Sequence, residues 1–313
     1  MPSVAIVLQP GFQMMCFAAI SAFEIANFAS REALYELTIL SENGGPVASS
    51  LGPTVDTQPL GEAGYDTVIV GGLLTLRATP KPIIDFMIES EKTSRRVASI
   101  CTGAFVLAEA GLLDGRRATT HWFYARDLQS RFPKIRIDED RIFVVDGVIW
   151  TSAGMTAGID LALGMIENDH GPELTRLVAQ NLVLYHRRAG GQLQHSNLLM
   201  LEPKSDRIQK ALTYAAQNLR SKLTVEELAQ VANLSPRQFS RAFRAETGQT
   251  PARAIENLRL EAARLMLEQS RHPIDTVAVE TGFSGRERLR RAYLRTDGRP
   301  PQAIRRAARA SEQ

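Results

Sequence analysis

Between residues 1 and 187, short apolar runs alternate with longer stretches in which apolar side chains recur every three or four positions. The runs at 4–8, 37–40, 67–70, 97–100 and 148–151 are four or five residues long and rich in valine and isoleucine. Runs of that kind read as strands buried on both faces, and their alternation with helical patterns predicts a parallel sheet covered by helices. The segment SAGMTAGID then leads into a helix expected over 157–168. An amphipathic run follows over 172–188, carrying Leu174, Leu177, Val178, Leu182 and Tyr185.

Past residue 205 only helical patterns remain, and they repeat. Val225 matches Ile274, Leu228 matches Val277, Leu234 matches Phe283 and Ser235 matches Ser284 at one offset. Phe239 with Leu289, Arg241 with Arg291, Phe243 with Tyr293 and Gly248 with Gly298 match one residue later, so an extra residue opens the later helix of the second copy. Each copy reads as a short helix, a tight turn and a second helix. Thr224 is placed to cap the first, which has Glu226 and Glu227 in its first turn. Ser235 is placed to cap the next, with Pro236 at N1 and Phe239 and Phe243 one turn apart on its apolar side. Between the copies, 251–270 is rich in helix formers and sets Ile255, Leu258, Ala262 and Leu265 on one stripe. At 1.5 Å per residue it spans about 30 Å.

Charge sharpens this division. Residues 1–203 hold 16 Lys/Arg against 22 Asp/Glu, while 204–313 hold 21 against 12, and 18 of those 21 are arginine. A basic, all-α segment built from two helix-turn-helix units points to nucleic acid, since such units lay the second helix in the major groove. The 30 Å separation is close to the roughly 34 Å turn of B-DNA, so both later helices can enter successive grooves. Candidate DNA contacts are Ser235, Arg237, Gln238, Ser240, Arg241 and Arg244 in the first copy. In the second they are Ser284, Arg286, Glu287, Arg288, Arg290, Arg291 and Arg295. A merely solvated helix face is the competing reading of either copy alone, and recurrence at one spacing argues against it.

This double helix-turn-helix, with its linking helix and the closing pattern Gly282-Phe283, Tyr293, Gly298 and Pro301, resembles the AraC/XylS-type transcriptional regulators over about 205–306. The resemblance implies sequence-specific binding to promoter DNA, with activation the usual outcome and RNA polymerase a further partner. The chain departs from the family at Arg288-Leu289-Arg290-Arg291, where a Phe-Ser-Arg segment is common. Leu289 can hold the core position. The surplus arginines predict base readout chiefly by the first unit and phosphate anchoring by the second.

In the N-terminal half, Cys101 stands where a buried strand turns sharply into a helix. Free backbone N–H groups there lower a thiol's pKa and attract anions, although a small buried cysteine that simply fits the turn is the alternative. The only other cysteine is Cys16. Two cysteines build no disulfide framework and have no zinc-ligand spacing, so no metal is expected. The N-terminal apolar run lacks a basic flank and is interrupted by Gln9, Pro10 and Gln13, which fits neither a signal peptide nor a membrane span and predicts a cytoplasmic location.

The stretch SICTGAFVLAEAGLLDGRRATTHW, residues 99–122, resembles the PfpI/ThiJ-like superfamily, with Gly71-Gly72 and Cys101 at motif positions. That resemblance covers about 4–187 and implies a flavodoxin-like α/β domain of the class I glutamine amidotransferase type. Fused to the C-terminal repeat it is similar to the GlxA-type subgroup of regulators, which implies dimerisation and sensing of a small metabolite, often an amino acid or another nitrogen compound. Hydrolytic relatives place a histidine after the nucleophile, where this chain has Thr102. Relatives also supply an acid from the first loop, and residues 9–20 contain none.

No catalytic residue and no cofactor are therefore expected, and binding is favoured over turnover. A cysteine-dependent amidase or hydratase coupled to DNA binding is the alternative, and a Cys16–Cys101 redox pair ranks below it. A purely architectural DNA binder is a further rival class. Candidate ligand-site residues are Gln13 and Met14, Gly71 and Gly72, Cys101 to Gly103 with Thr102, His121 and Trp122 as pocket wall, and Gly154, Met155 and Thr156. The N–H groups of the last three precede a helix and can cradle a carboxylate. The domains are expected at 1–188 and 206–313, with a linker over 189–205.

Overall fold

The computed structural model describes residues 1–62, 64–184, 188, 190, 194, 201, 203–270 and 272–310. Strands β1 (Ser3–Val7), β2 (Glu36–Ser41), β3 (Asn43–Ala48), β4 (Thr54–Pro59), β5 (Thr67–Val70), β6 (Arg96–Ile100), β9 (Phe143–Asp146) and β10 (Ile149–Ser152) form one sheet in the order 3-4-2-1-5-6-10-9. Two short strands, β7 (Arg117–Ala118) and β8 (Arg136–Ile137), pair separately. The five apolar runs are β1, β2, β5, β6 and β10, and neighbours among them pair in parallel. All residues of β5, β6 and β10 are buried, as strands sandwiched between helices must be.

The sheet is mixed rather than wholly parallel. β3 runs antiparallel to β4, and β9 antiparallel to β10. The hairpin at one end of the sheet escapes the apolar pattern because Gly44, Gly45 and Pro46 stand in β3, the edge strand, and Asp56, Thr57 and Gln58 in β4; both strands are largely exposed, so neither needs an apolar run.

Helix α1 (Phe17–Ser30) and α5 (Ala157–Asn181) cover one face over a core that includes Ile6, Leu8, Phe23, Ile69, Leu161 and Ile166. The other face is covered by α2 (Lys81–Thr93), α3 (Gly103–Glu109) and α4 (Trp122–Arg131). α5 continues past the expected end at 168. Gly171, at φ 80°, breaks it and Pro172 restarts it, so the amphipathic run forms its second half, with Val178 buried and Leu174 and Leu182 packed on the same core. Tyr185 and most of 189–205 lie outside the described residues. On α5, Asp169 accepts hydrogen bonds from Arg95, Arg96 and the Tyr35 hydroxyl. Burial pushes the Asp169 carboxyl up, but Arg96 and then Arg95 outweigh it and hold it below the ordinary value.

The chain divides into two units, Met1–Gln194 and His195–Gln313. The C-terminal unit is helical: α6 (Asp206–Gln217), α7 (Val225–Val231), α8 (Pro236–Thr247), α9 (Pro251–Gln269), α10 (Ile274–Glu280), α11 (Arg286–Thr296) and α12 (Pro301–Ala310). Thr224 caps α7 through the Glu227 N–H, and Ser235 caps α8 with Pro236 at N1. Asn233 and Gly282 occupy the same turn position at φ 52° and 80°. Two small cores result, one around Phe239 and Phe243 and one around Leu289 and Tyr293.

The single stripe expected on the linking helix is corrected. Ala254 and Ile255 enter the first core and Leu260, Ala263 and Leu267 the second, while Ala262 and Leu265 are half-buried. α9 serves a different core at each end, so its buried side rotates along its length. No helix among the described residues is long and apolar enough to cross a membrane.

Candidate functional site

Strand order reverses around β1: the chain leaves it for β2 on one side and later returns to β5 on the other. Ligands in open α/β sheets bind beyond the carboxyl ends of the strands at such a switch. The loop 9–13 lies there, pinned on both flanks. Gly11 N–H donates to the Ala48 carbonyl at 2.7 Å and Gln13 N–H to the Gly72 carbonyl at 3.0 Å. Gly72 N–H in turn points at Cys16 Sγ, 3.2 Å away.

Cys101 follows β6 at φ 56°, the sharp strand-to-helix turn that the sequence suggests. Glycines make this turn possible by close approach. A Cβ on Gly72 would stand 2.9 Å from the Ile100 carbonyl oxygen and 3.0 Å from Cys101 Cβ, one on Gly103 would stand 2.5 Å from the Val70 carbonyl oxygen, and one on Gly154 would overlap Cys101 itself. Thr120 Oγ1 donates to the Cys101 carbonyl at 2.8 Å, which brings the start of α4 to the same place. Gln13, Gly71, Gly72, Cys101, Thr102, Gly103, Thr120 and Gly154 thus converge. Met14 packs on the core, and Met155, at φ 52°, is partly exposed.

Three chemical expectations change. The Cys101 thiol is not acidified: burial pushes it up to about 12, against a smaller lowering by the Thr102 backbone, and the neighbouring Cys16 adds to the rise. Cys16 is raised to about 11 for the same principal reason. Desolvation outweighs the local N–H groups, so both free thiols stay protonated at neutral pH. Thr102 is consumed by the fold, since its Oγ1 donates to the Leu73 carbonyl and accepts the Leu73 N–H, both at 2.7 Å. Finally, the start of α5 already has an acid of its own. Asp160, buried, accepts from the Arg188 N–H and Nε at 2.9 Å, and Arg188 Nη2 reaches Thr156 Oγ1 at 2.7 Å.

His121 is the N-cap of α4, its Nδ1 accepting the Phe123 N–H at 3.3 Å. Trp122 stands about half exposed, with its backbone N–H held by Gln194 Oε1.

The sequence reading passed over Gln9 and Arg77. Gln9 is 2% exposed, and neither its amide oxygen nor its amide nitrogen has a hydrogen-bond partner. An unsatisfied buried amide costs about 1–3 kcal/mol for each group left bare. Arg77 Nη2 lies 3.9 Å from where a Gly11 Cβ would be, and its guanidinium joins no ion pair among the described residues. The signal was present in the sequence, where Gln9 and Gln13 break the first apolar run.

In the first helix-turn-helix, Arg237, Arg241 and Arg244 are exposed on α8 and enter no ion pair among the described residues, while Ser240 is half-buried. Ser235 and Gln238 form a capping box. Gln238 Oε1 accepts the Ser235 N–H at 3.1 Å and its hydroxyl at 2.8 Å. Gln238 therefore has only its amide nitrogen left for a base edge, whereas a bidentate pairing to adenine needs both the amide oxygen and nitrogen.

The second unit differs. Ser284 does not cap α11; the inserted residue, Gly285, stands at the N-cap with φ 151° and no side-chain bond. Leu289 does fill the core position, fully buried, beside Tyr293, whose hydroxyl donates to the Leu260 carbonyl at 3.0 Å. Arg286 lies 4.0 Å from Asp275, Arg290 and Arg291 lie 3.4 and 3.9 Å from Glu287, and Arg295 bonds Glu256 at 2.6 Å.

A duplicated helix-turn-helix, with arginines on its first later helix that join no ion pair among the described residues, joined to an α/β unit whose strand order reverses around β1, defines a DNA-binding regulator. Comparison with known proteins agrees. A helix-turn-helix domain model matches residues 228–307, and a DJ-1/PfpI family model matches residues 3–168. The HTH-type transcriptional regulator CdhR of Pseudomonas aeruginosa is 33% identical over 293 residues, 92% of this chain and 86% of that one. The HTH-type transcriptional regulator GlxA of Rhizobium meliloti is 30% identical over 320 residues, 97% and 95% of the two chains. An AraC family transcriptional regulator from Pseudomonas putida, known as a crystal structure, shares the fold with a TM-score of 0.53 at 24% identity, over 58% of this chain and all of that one. The chain belongs to the AraC-type transcriptional regulators that carry a DJ-1/PfpI domain.

Proposed function

We propose that this regulator is a cytoplasmic, homodimeric activator whose α/β domain, over 1–188, binds a small amino acid or related nitrogen compound without turning it over. A linker over 189–205 passes the bound state to the DNA-binding domain at 206–313, and RNA polymerase is the downstream partner. The effector lies in the cleft formed by Gln13, Met14, Gly71, Gly72, Cys101, Gly103, His121, Trp122, Gly154 and Met155.

The observation that carries this reading is Gln9. A buried amide with both ends bare on the loop that also carries Gln13, with an Arg77 guanidinium that approaches Gly11 and joins no ion pair among the described residues, supplies a donor, an acceptor and a cation to a ligand that has both a carboxylate and a nitrogen function. A thiol pushed up to about 12 and an engaged Thr102 favour binding over covalent chemistry. Base readout falls to Arg237 and Arg241, and phosphate anchoring to the second unit. Ligand shifts the balance between two placements of the DNA-binding domains only by its differential affinity for them.

The test is a thermal-shift screen of the full chain against amino acids and quaternary or secondary amines, with hits carried into DNA-binding titrations. A hit that raises the melting temperature and changes DNA affinity is expected, and Gln9→Leu should abolish its effect while leaving DNA binding intact. Hydrolysis or hydration of an amide or isonitrile panel by the wild type, lost in Cys101→Ala, would overturn the sensor reading in favour of an enzyme.

A further inference from the structure

A cavity of about 450 Å³ opens between α9 and α11. Its walls include Ser284, Arg288, Arg291 and Arg295 from the second helix-turn-helix, and Glu256 and Arg259 from the linking helix. Four cations around one carboxylate leave the cavity electropositive, and two of its groups are already committed. Arg259 donates to the carbonyls of Leu219 and Ser221 at 3.0 and 2.7 Å. Glu256 accepts from Arg295 at 2.6 Å and from Arg253 at 3.1 Å.

The placement of these groups on α11 gives the cavity a direction. Leu289, Ala292 and Tyr293 are buried. At 100° per residue Glu287 and Arg291 then point away from the core, Arg286 and Arg290 lie on one flank, and Arg288 and Arg295 lie on the other, beside α9. A helix seated in a major groove has a phosphate backbone along each flank, and contacts to it position the helix without reading sequence. The two flanks are not equivalent. Arg286 and Arg290 stand beside acids of their own helix-turn-helix. On the α9 flank Arg288 joins no ion pair among the described residues, and Arg295 is held by an acid that comes from outside the second helix-turn-helix.

We propose that this cavity seats a phosphodiester of the DNA strand running between the two recognition helices, and that Glu256 is its built-in competitor. Arg288 meets the phosphate directly; Arg295 leaves Glu256 to join it. Glu256 then remains paired with Arg253, so no carboxylate is stranded. The consequence is a brake on DNA affinity that acts on every sequence alike, because every duplex must displace the same carboxylate, which leaves base readout by α8 a larger share of the total affinity without altering the discrimination itself. This rests on the reading that the second unit anchors phosphates.

The test uses the full chain and a long random-sequence duplex, with affinity followed by fluorescence anisotropy across a salt series. Glu256→Gln should tighten binding roughly three- to tenfold and steepen the salt dependence by up to about one unit of log–log slope, whereas Glu256→Asp, which keeps the charge, should stay close to wild type. Arg288→Gln should weaken binding and flatten the slope by about one. Arg295→Gln should cost more in the Glu256→Gln background than in wild type, since only there is the arginine fully available to DNA.

An unchanged affinity and slope in Glu256→Gln, with helicity retained by circular dichroism, overturns the proposal. If that variant fails to fold, Arg288→Gln decides alone, because Arg288 makes no hydrogen bond or ion pair among the described residues. A flat response at Arg288 with slope lost at Arg286 and Arg290 removes the seat but keeps phosphate anchoring by the second unit. A flat response at all the α11 arginines removes both.

Discussion

The two helix-turn-helix units are one design used twice, and the differences between them separate what folds the motif from what makes it act. Buried positions correspond: Phe239 and Leu289 are both fully enclosed, Phe243 and Tyr293 follow one turn later, and Asn233 and Gly282 take the same left-handed turn. Exposed positions diverge. α8 starts with a capping box and presents three arginines that join no ion pair among the described residues, whereas α11 starts on a bare Gly285 and most of its arginines stand beside acids. Core chemistry tolerates exchange of one apolar side chain for another of similar volume, while a surface arginine changes its job as soon as a carboxylate comes within reach. Free cations suit readout of base edges, and cations already in ion pairs suit exchange of one anion for another.

The sharpest challenge to this comparison is its claim that the cores are equivalent. Phe239→Ala and Leu289→Ala should each destabilise the C-terminal unit by about 3–5 and 2–5 kcal/mol, seen as a lowered urea midpoint in helical circular dichroism. A cost below about 1 kcal/mol at Leu289 would mean that the second unit does not depend on the position that replaced the family's phenylalanine.

Readout comes next in size. Arg241→Ala should lose roughly 1–3 kcal/mol of discrimination between preferred and random duplexes, measured by selection from a randomised library followed by competition binding. The corresponding change at Arg291 should lower affinity evenly across sequences. Sequence-blind losses at both would erase the division of labour. Smaller again is the difference in caps: Ser235→Ala should cost about 1 kcal/mol of stability. Gly285→Ser should not return that amount to α11, because φ 151° at that position disfavours a side chain. A stabilised Gly285→Ser variant would show that the bare cap is a defect rather than a fitted turn.

Much of this was legible in the sequence, and the boundary of legibility has a physical cause. Thr224, Ser235 and Pro236 announce helix starts through local chemistry, and the five central strands announce themselves through apolar runs, because both signals are short-range. The hairpin of β3 and β4 gave no such signal, since both of its strands are largely exposed and bury little apolar surface. Nor could a single stripe describe α9, whose two ends serve different cores. At the candidate ligand site the sequence could not reveal which polar groups the fold had already used. Thr102 and Gln238 are engaged, Gln9 is not, and burial at Cys101 outweighs the turn that should have acidified it.

The smallest effect is the most discriminating for the electrostatic half of the comparison. Arg290 stands 3.4 Å from Glu287 and Arg286 stands 4.0 Å from Asp275, all four of them well exposed. Either arginine gains a phosphate only by giving up part of an existing attraction, and an exposed pair is weak enough for that exchange to be nearly even. Arg290→Gln should therefore shift the salt slope by clearly less than the one unit expected of a full phosphate contact, whereas Arg244→Gln on the first unit, which joins no ion pair among the described residues, should approach it. If the two slopes change equally, Glu287 has no hold on its arginines once DNA is present. The contrast between free and paired cations would then describe the unbound protein alone, and the two units would have to be counted as equal anchors on the phosphate backbone.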